Sequence, residues 1–208
     1  MYFEPGEAGS PPSSILNTVV VPRPIGWIST VDAEGLANLA PYSFFNAVSY
    51  TPPRVIFSSS GTQRHHGGLK DSVSNIRATG EFVANLATFE LREAMNRSSI
   101  SAPSHIDEFD YAGLEKAPSR RVRPPRVAAS PVQLECVAEQ IIDLTALGEG
   151  EPCTIVVGRI VAFHIDDAVL VDGRVDIGRL DAIARLGYDQ YARVTDIFAM
   201  TRPHWPEA

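Results

Sequence analysis

The sequence predicts a mainly β protein, an antiparallel barrel with helical decoration. Six or more runs of apolar, β-branched or alternating residues recur along it, each of strand length. Only two or three short segments carry helical spacing. They interrupt the β pattern instead of alternating with it, so a doubly wound parallel sheet fits less well. A chain of 208 residues is long enough for one well-packed domain. No internal repeat or low-complexity linker divides it. The expected unit is therefore one domain over 1–208, with residues 1–14, rich in Pro, Gly and Ser, as a surface arm.

Residues 15–21 are apolar and β-branched, which predicts a strand. Pro22 and Pro24 cannot donate to a ladder, so the sheet is interrupted or at an edge there. A strand resumes over 25–31 and turns at 32–35, where Gly35 accommodates positive φ. Residues 36–49 continue the hairpin, with Pro41 predicting a bend that frees nearby N–H groups. A further strand covers 54–58 and ends in Ser58, Ser59 and Ser60.

Residues 61–68 read as an exposed polar loop. Asp71 is a suitable N-cap for a helix with Val73 and Ile76 on one face, and Gly80 is its stop signal. Residues 81–87 alternate as a strand, and Thr88 is placed to cap a second helix carrying Leu91, Ala94 and Met95. Residues 98–130 are the least regular, with four prolines and the cluster Arg120, Arg121 and Arg123. A stretch this irregular inside a compact domain is usually functional or packed on a partner. Two strongly strand-like runs, 132–144 and 153–164, flank a turn containing Gly148 and Gly150. Residues 168–173 suggest a short hairpin at Asp172-Gly173, and the tail lacks a clean helical stripe.

The formal net charge of −7 argues against a general nucleic-acid binder, which needs a basic face. No apolar run approaches the ~20 residues that span a bilayer. The N-terminal residues lack a basic region followed by an apolar core, so a cytoplasmic protein is expected. Cys136 and Cys153 form no CxxC pair and read as core thiols. The five histidines show no metal-ligand spacing, and no metal is expected. There is no G-x-S-x-G elbow, no G-x-G-x-x-G and no Walker loop.

What remains is an anion site. A strand ends in three hydroxyls, and ten residues on a helix begins at Lys70, Asp71 and Ser72. Free N–H groups at a helix start carry partial positive charge and suit phosphate. The same residues are also compatible with a polar loop and a solvated lysine.

Taken together, PRPIGWIST (22–30), NLAPYSFFNAVS (38–49), PPRVIFSSS (52–60), KDSVSNI (70–76), TGEFVANLA (79–87) and RLGYDQYARV (185–194) resemble the flavin reductase-like family. The order and spacing match over nearly the whole chain. The resemblance is to the branch with flavoredoxin-like proteins and the reductase components of two-component monooxygenases. It implies an FMN-binding split β-barrel of antiparallel Greek-key type, a homodimer with FMN near the subunit interface, and hydride transfer from NADH or NADPH to flavin N5. The alternative it leaves open is an FMN-holding electron carrier reduced by a protein partner. A partner oxygenase or electron-transfer protein is implied in either case.

By the same resemblance Tyr42, Ser43, Phe44 and Asn46 line the ring and ribityl chain, partly through backbone groups, with Trp27 flanking the ring. Ser58, Ser59, Ser60, Lys70, Asp71 and Ser72 hold the phosphate end. Asp71 would repel phosphate directly, so its expected task is to cap the helix. The loop GTQRHHGGL (61–69) is longer than typical for the family and adds Arg64 as a candidate contact. His164 and Tyr191 are weighed as neighbours of the nicotinamide, against core or surface roles. The cofactor carries the redox chemistry, so no catalytic side chain is nominated.

Overall fold

The computed structural model describes residues 2–5, 7, 12–144 and 151–205; the predicted turn at Gly148 and Gly150 lies outside them. The first element departs from expectation. Residues 15–21 do not form a strand: Leu16–Val19 make a short helix, α1. The carbonyls of Asn17 and Val20 accept hydrogen bonds from Arg23 Nη1 at 2.6 and 2.8 Å. That tertiary contact satisfies helical carbonyls and overrides the β propensity of the run.

The main sheet is built from β2 (Gly26–Val31), β3 (Ala37–Tyr42), β4 (Phe45–Tyr50), β5 (Pro53–Ser60), β6 (Glu81–Leu86), β9 (Val132–Leu144) and β10 (Cys153–Ile165). The intervening β7 (Lys116–Ala117) and β8 (Arg126–Val127) pair as a small hairpin. The order across the seven strands is β3-β2-β6-β9-β10-β5-β4, and neighbours are antiparallel throughout. β11 (Leu170–Val171) and β12 (Arg174–Val175) form the short hairpin expected at Asp172-Gly173. A smaller sheet joins β1 (Arg23–Pro24) to the tail strands β13 (Ile183–Arg185) and β14 (Tyr191–Arg193), which the sequence pattern did not reveal.

β3 and β4 stand at opposite ends of the seven-strand order, yet only Ser43 and Phe44 separate them in the chain. The sheet therefore curls until its two edges approach. Ser58 N–H donates to the Phe44 carbonyl at 2.9 Å and carries the β4–β5 pairing up to this seam. Gly26 permits the closure, because a Cβ there would sit 2.4 Å from the Phe45 ring. No ladder joins β3 to β4 among the described residues, so the barrel is split, as the sequence predicts.

Two apolar cores result. Ile28, Phe57, Phe82, Ile76 and Val156 fill the barrel, while Trp27, Val31, Leu39, Met95, Phe109 and Ile183 pack outside it. β2 serves both, and every residue from Gly26 to Val31 is buried. Full burial of each large side chain contributes about 1.5–3 kcal/mol. Helix α2 (Asp71–Thr79) buries Val73 and Ile76 and stops at Gly80, whose φ of 74° is left-handed. Helices α3 (Arg92–Arg97) and α4 (Glu108–Ala112) cover the outer core through Met95 and Phe109. Thr88 accepts from the Leu91 N–H at 3.3 Å just ahead of α3. Among the described residues no helix is long and apolar enough to cross a membrane.

Candidate functional site

A cleft of about 330 Å³ opens where the β3–β4 seam meets the tip of β5 and the start of α2. Of the residues singled out from sequence, Tyr42, Ser43, Phe44, Ser58, Ser60, Lys70, Asp71 and Ser72 line it together. The pleat explains the selection at the triple serine. Along β5, Val55, Phe57 and Ser59 are buried, whereas Ser58 and Ser60 are turned outward. Ser59 faces inward and is in hydrogen-bond contact with the Tyr42 hydroxyl, as is Ser72. Burial raises the Tyr42 pKa against those two hydrogen bonds, so the phenol stays protonated.

Two expected residues are elsewhere. Trp27 is fully buried in the outer core, and its indole N–H donates to Ser98 Oγ at 2.9 Å. It does not flank the cleft, because its place on β2 turns it away from the barrel interior. Asn46 is exposed on β4, and its side-chain oxygen accepts from the Ala47 N–H, so it points away as well.

The helix start differs in detail from expectation. Lys70, not Asp71, takes the cap position with extended backbone, and no side chain caps the helix. N–H groups of the first turn are thus left for solvent or a ligand. The Asp71 carboxylate instead accepts from Gln63 Nε2 at 2.7 Å and Ser104 Oγ at 2.7 Å, with His66 Nε2 at 3.7 Å. It ties the 61–68 loop to the segment after α3. The ammonium of Lys70 is half-buried and makes no ion pair or hydrogen bond among the described residues. Burial lowers its pKa, Glu151 counteracts this, and Arg64 adds to it.

Several lining residues were not read from the sequence. Asn38 lies four positions before Tyr42 on β3, on the same face. Strand alternation counted backwards from Tyr42 would have found it. Its side-chain amide donates to Ser72 Oγ at 2.9 Å and fixes the first turn of α2 against the sheet. Buried Gln63 also donates to the Ala102 carbonyl at 2.9 Å, so the predicted exposed loop has an inward anchor. Ser99, Ile100, Ser101 and Glu108 supply a further wall from the irregular 98–130 stretch. Glu108 is buried and accepts the Leu39 N–H at 3.0 Å, and burial pushes its carboxyl up to about 7. No local pattern marks these four; only the fold brings them here.

His164 is remote from the cleft. It contacts buried Glu135 and lines a separate cavity with Arg120, Arg121 and Arg126. Tyr191 lies under the Arg185 guanidinium, 4.5 Å from carbon to ring centroid, in a cavity that adjoins the cleft.

Comparison with known proteins agrees with this architecture. Residues 18–180 match the family model described as flavin reductase like domain. An uncharacterised protein of Halalkalibacterium halodurans is 35% identical over 190 residues, covering 91% of this chain and 90% of the relative. The crystal structure of nitrilotriacetate monooxygenase component B from Bacillus cereus superposes with a TM-score of 0.88 at 28% identity, covering 96% of this chain and 98% of that one. A split barrel domain structure from Shewanella frigidimarina shares the fold with a TM-score of 0.81 at 22% identity, covering 98% and 100% of the two chains.

Proposed function

Since the chain belongs to the flavin reductase-like family, we propose that it is an FMN-binding oxidoreductase that draws hydride from NADH or NADPH. One observation carries this reading: a half-buried ammonium at Lys70, with no ion pair among the described residues, shares a cleft with the uncapped start of α2 and the outward hydroxyls of Ser58 and Ser60. That donor set fits a phosphate monoester, combining a compact cation with directional N–H and O–H donors. The bound flavin would supply an N5 atom able to accept hydride.

The residues of this chain bind and orient. Lys70, Ser58, Ser60 and the first turn of α2 hold the phosphate end, with Ser72 kept in place by Asn38. Ser43 and Phe44, where β3 breaks from β4, would meet the ring through backbone groups other than the Phe44 carbonyl, which Ser58 N–H engages. Tyr42 supports the cleft floor through its ring, 4.8 Å from that of Phe57. Ile100 contributes apolar surface that excludes water. No side chain is assigned a proton, since hydride transfer needs none.

We further propose a homodimer working with a partner oxygenase. The kinship with a monooxygenase component B supports the oxygenase partner. Exposed Val48, Tyr50 and Phe163 on β4 and β10 support pairing of two copies. An absorbance scan of purified protein with FMN, before and after anaerobic NADH or NADPH, tests the central claim. Bleaching of the flavin bands without any second protein is expected. Bound flavin that neither nucleotide bleaches, but a protein donor does, replaces the reductase reading with that of an electron carrier.

A further inference from the structure

Arg23 on β1 and Arg185 on β13 are direct cross-strand partners. Like charges facing across a ladder are destabilising. Arg23 is 5% exposed, and no carboxylate pairs with it among the described residues. Its donors go to the carbonyls of Asn17, Val20 and Leu186 and, at 3.4 Å, to Ser43 Oγ. Carbonyls satisfy the hydrogen bonds without cancelling the charge. Burial and the nearby Arg185 both hold the Arg23 pKa below the usual arginine value.

Arg185 is the available donor of the pair. It reaches the Tyr188 carbonyl through Nη2 and stacks on Tyr191, but nothing engages its Nε and Nη1 among the described residues. Among the described residues the one carboxylate that pairs with it is Asp189 at 3.8 Å, whose side chain is fully exposed and so screened by water.

Both arginines line a cavity of about 420 Å³ that shares Asn17, Pro41, Ser43 and Ser99 with the flavin cleft. Beyond Arg185 the same surface continues into a third cavity, where the Arg92 and Arg193 guanidiniums lie 4.1 and 4.2 Å from the Phe89 ring centroid. A positive centre thus lies beside the part of the cleft lined by Asn17, Pro41, Ser43 and Ser99, with a further cavity beyond it that has room for a planar group.

We propose that the Arg23–Arg185 pair is the subsite for the diphosphate of the pyridine dinucleotide, with the adenosine end directed toward Phe89. This rests on the reading of the main cleft as the flavin site. Arg185 donates to the diphosphate, and Arg23 supplies fixed positive charge behind it.

The test uses FMN-loaded protein, with Arg185→Gln and Arg185→Lys beside the parent. KM for NADH or NADPH should rise about tenfold or more in R185Q, since a hydrogen bond to a charged group is lost. FMN affinity by fluorescence quenching should stay within twofold, and R185K should recover part of the loss. ADP is titrated in parallel by calorimetry. It should bind without releasing FMN, and R185Q should weaken it by a similar factor. An unchanged KM, a parallel loss of FMN affinity, or ADP that fails to bind or displaces FMN overturns the subsite. Should the parent oxidise neither nucleotide, the reductase reading fails, and the ADP titration still decides the subsite.

Discussion

The carboxylate of Glu135, fully buried on β9, lies 2.5 Å from His164 Nε2 on β10. Its two oxygens also accept the backbone N–H groups of Arg120, Arg121 and Val122 at 2.8, 2.6 and 3.2 Å. Burial alone would raise its pKa, but the bonds from Arg120, His164 and Arg121 outweigh it and leave the group below the usual carboxylate range. Glu135 is therefore the anchor of the arginine-bearing loop. Glu135→Gln puts an amide donor among donors and should destabilise the fold by about 3 kcal/mol. Urea unfolding measures this, and trypsin should cut sooner at Arg120 or Arg121. With a depressed folded pKa, the stabilisation is fully present above the ordinary glutamate value of 4.5 and is lost as pH falls further.

Glu108 has the opposite sign. Its folded carboxyl titrates at about 7 against an ordinary 4.5, because burial disfavours the charge. Between those values the folded protein keeps a proton that the unfolded chain releases. The contribution to stability is full below about pH 4.5 and declines by roughly 3 kcal/mol as pH rises to about 7. Glu108→Gln keeps an acceptor for the Leu39 N–H and removes the titration. Flavin-free Glu108→Gln should lose less melting temperature than the parent between pH 5 and pH 8. An equal loss in both would refute the assignment.

Lys70→Met separates binding from stability. The half-buried Lys70 ammonium makes no ion pair among the described residues, so the flavin-free variant should melt within a degree or two of the parent or above it. FMN affinity should fall about tenfold or more, with a shallower salt dependence. An unchanged dissociation constant would show that the phosphate lies elsewhere.

Trp27→Phe tests the correction made by the structure. The indole donates to Ser98 and packs in the outer core, so the variant should lose about 1–2 kcal/mol of stability. FMN affinity and the flavin absorption maximum should not move. A shifted flavin spectrum would put Trp27 back beside the ring.

Gly158→Ala probes the barrel interior. A Cβ there would lie 2.3 Å from the Phe82 ring, next to a register shift in the β9–β10 ladder. Overpacking of this kind costs about 1–3 kcal/mol, read as a lower denaturant midpoint. The paired variant with Phe82→Leu should recover part of that loss.

The sequence by itself determined the local periods and the punctuation. The strands over 81–87 and 132–144, the turn at Gly35, the stop at Gly80 and the hydroxyl-rich end of β5 all appear, at Glu81–Leu86 and Val132–Leu144 for the two strands, because each depends on neighbours within a few residues. Residue order also sufficed to identify the family. Only the tertiary structure decided which face each residue shows and what it meets. It turned Ser59 inward and Ser58 outward, sent Trp27 to the outer core, and folded 16–19 as a helix around the Arg23 guanidinium. It also brought Glu108 and Ser99–Ser101 to the cleft across 60 or so residues of chain, and set Arg23 opposite Arg185 across more than 160. Such placements follow from sheet curvature and strand pairing between distant segments, and no window of sequence encodes them.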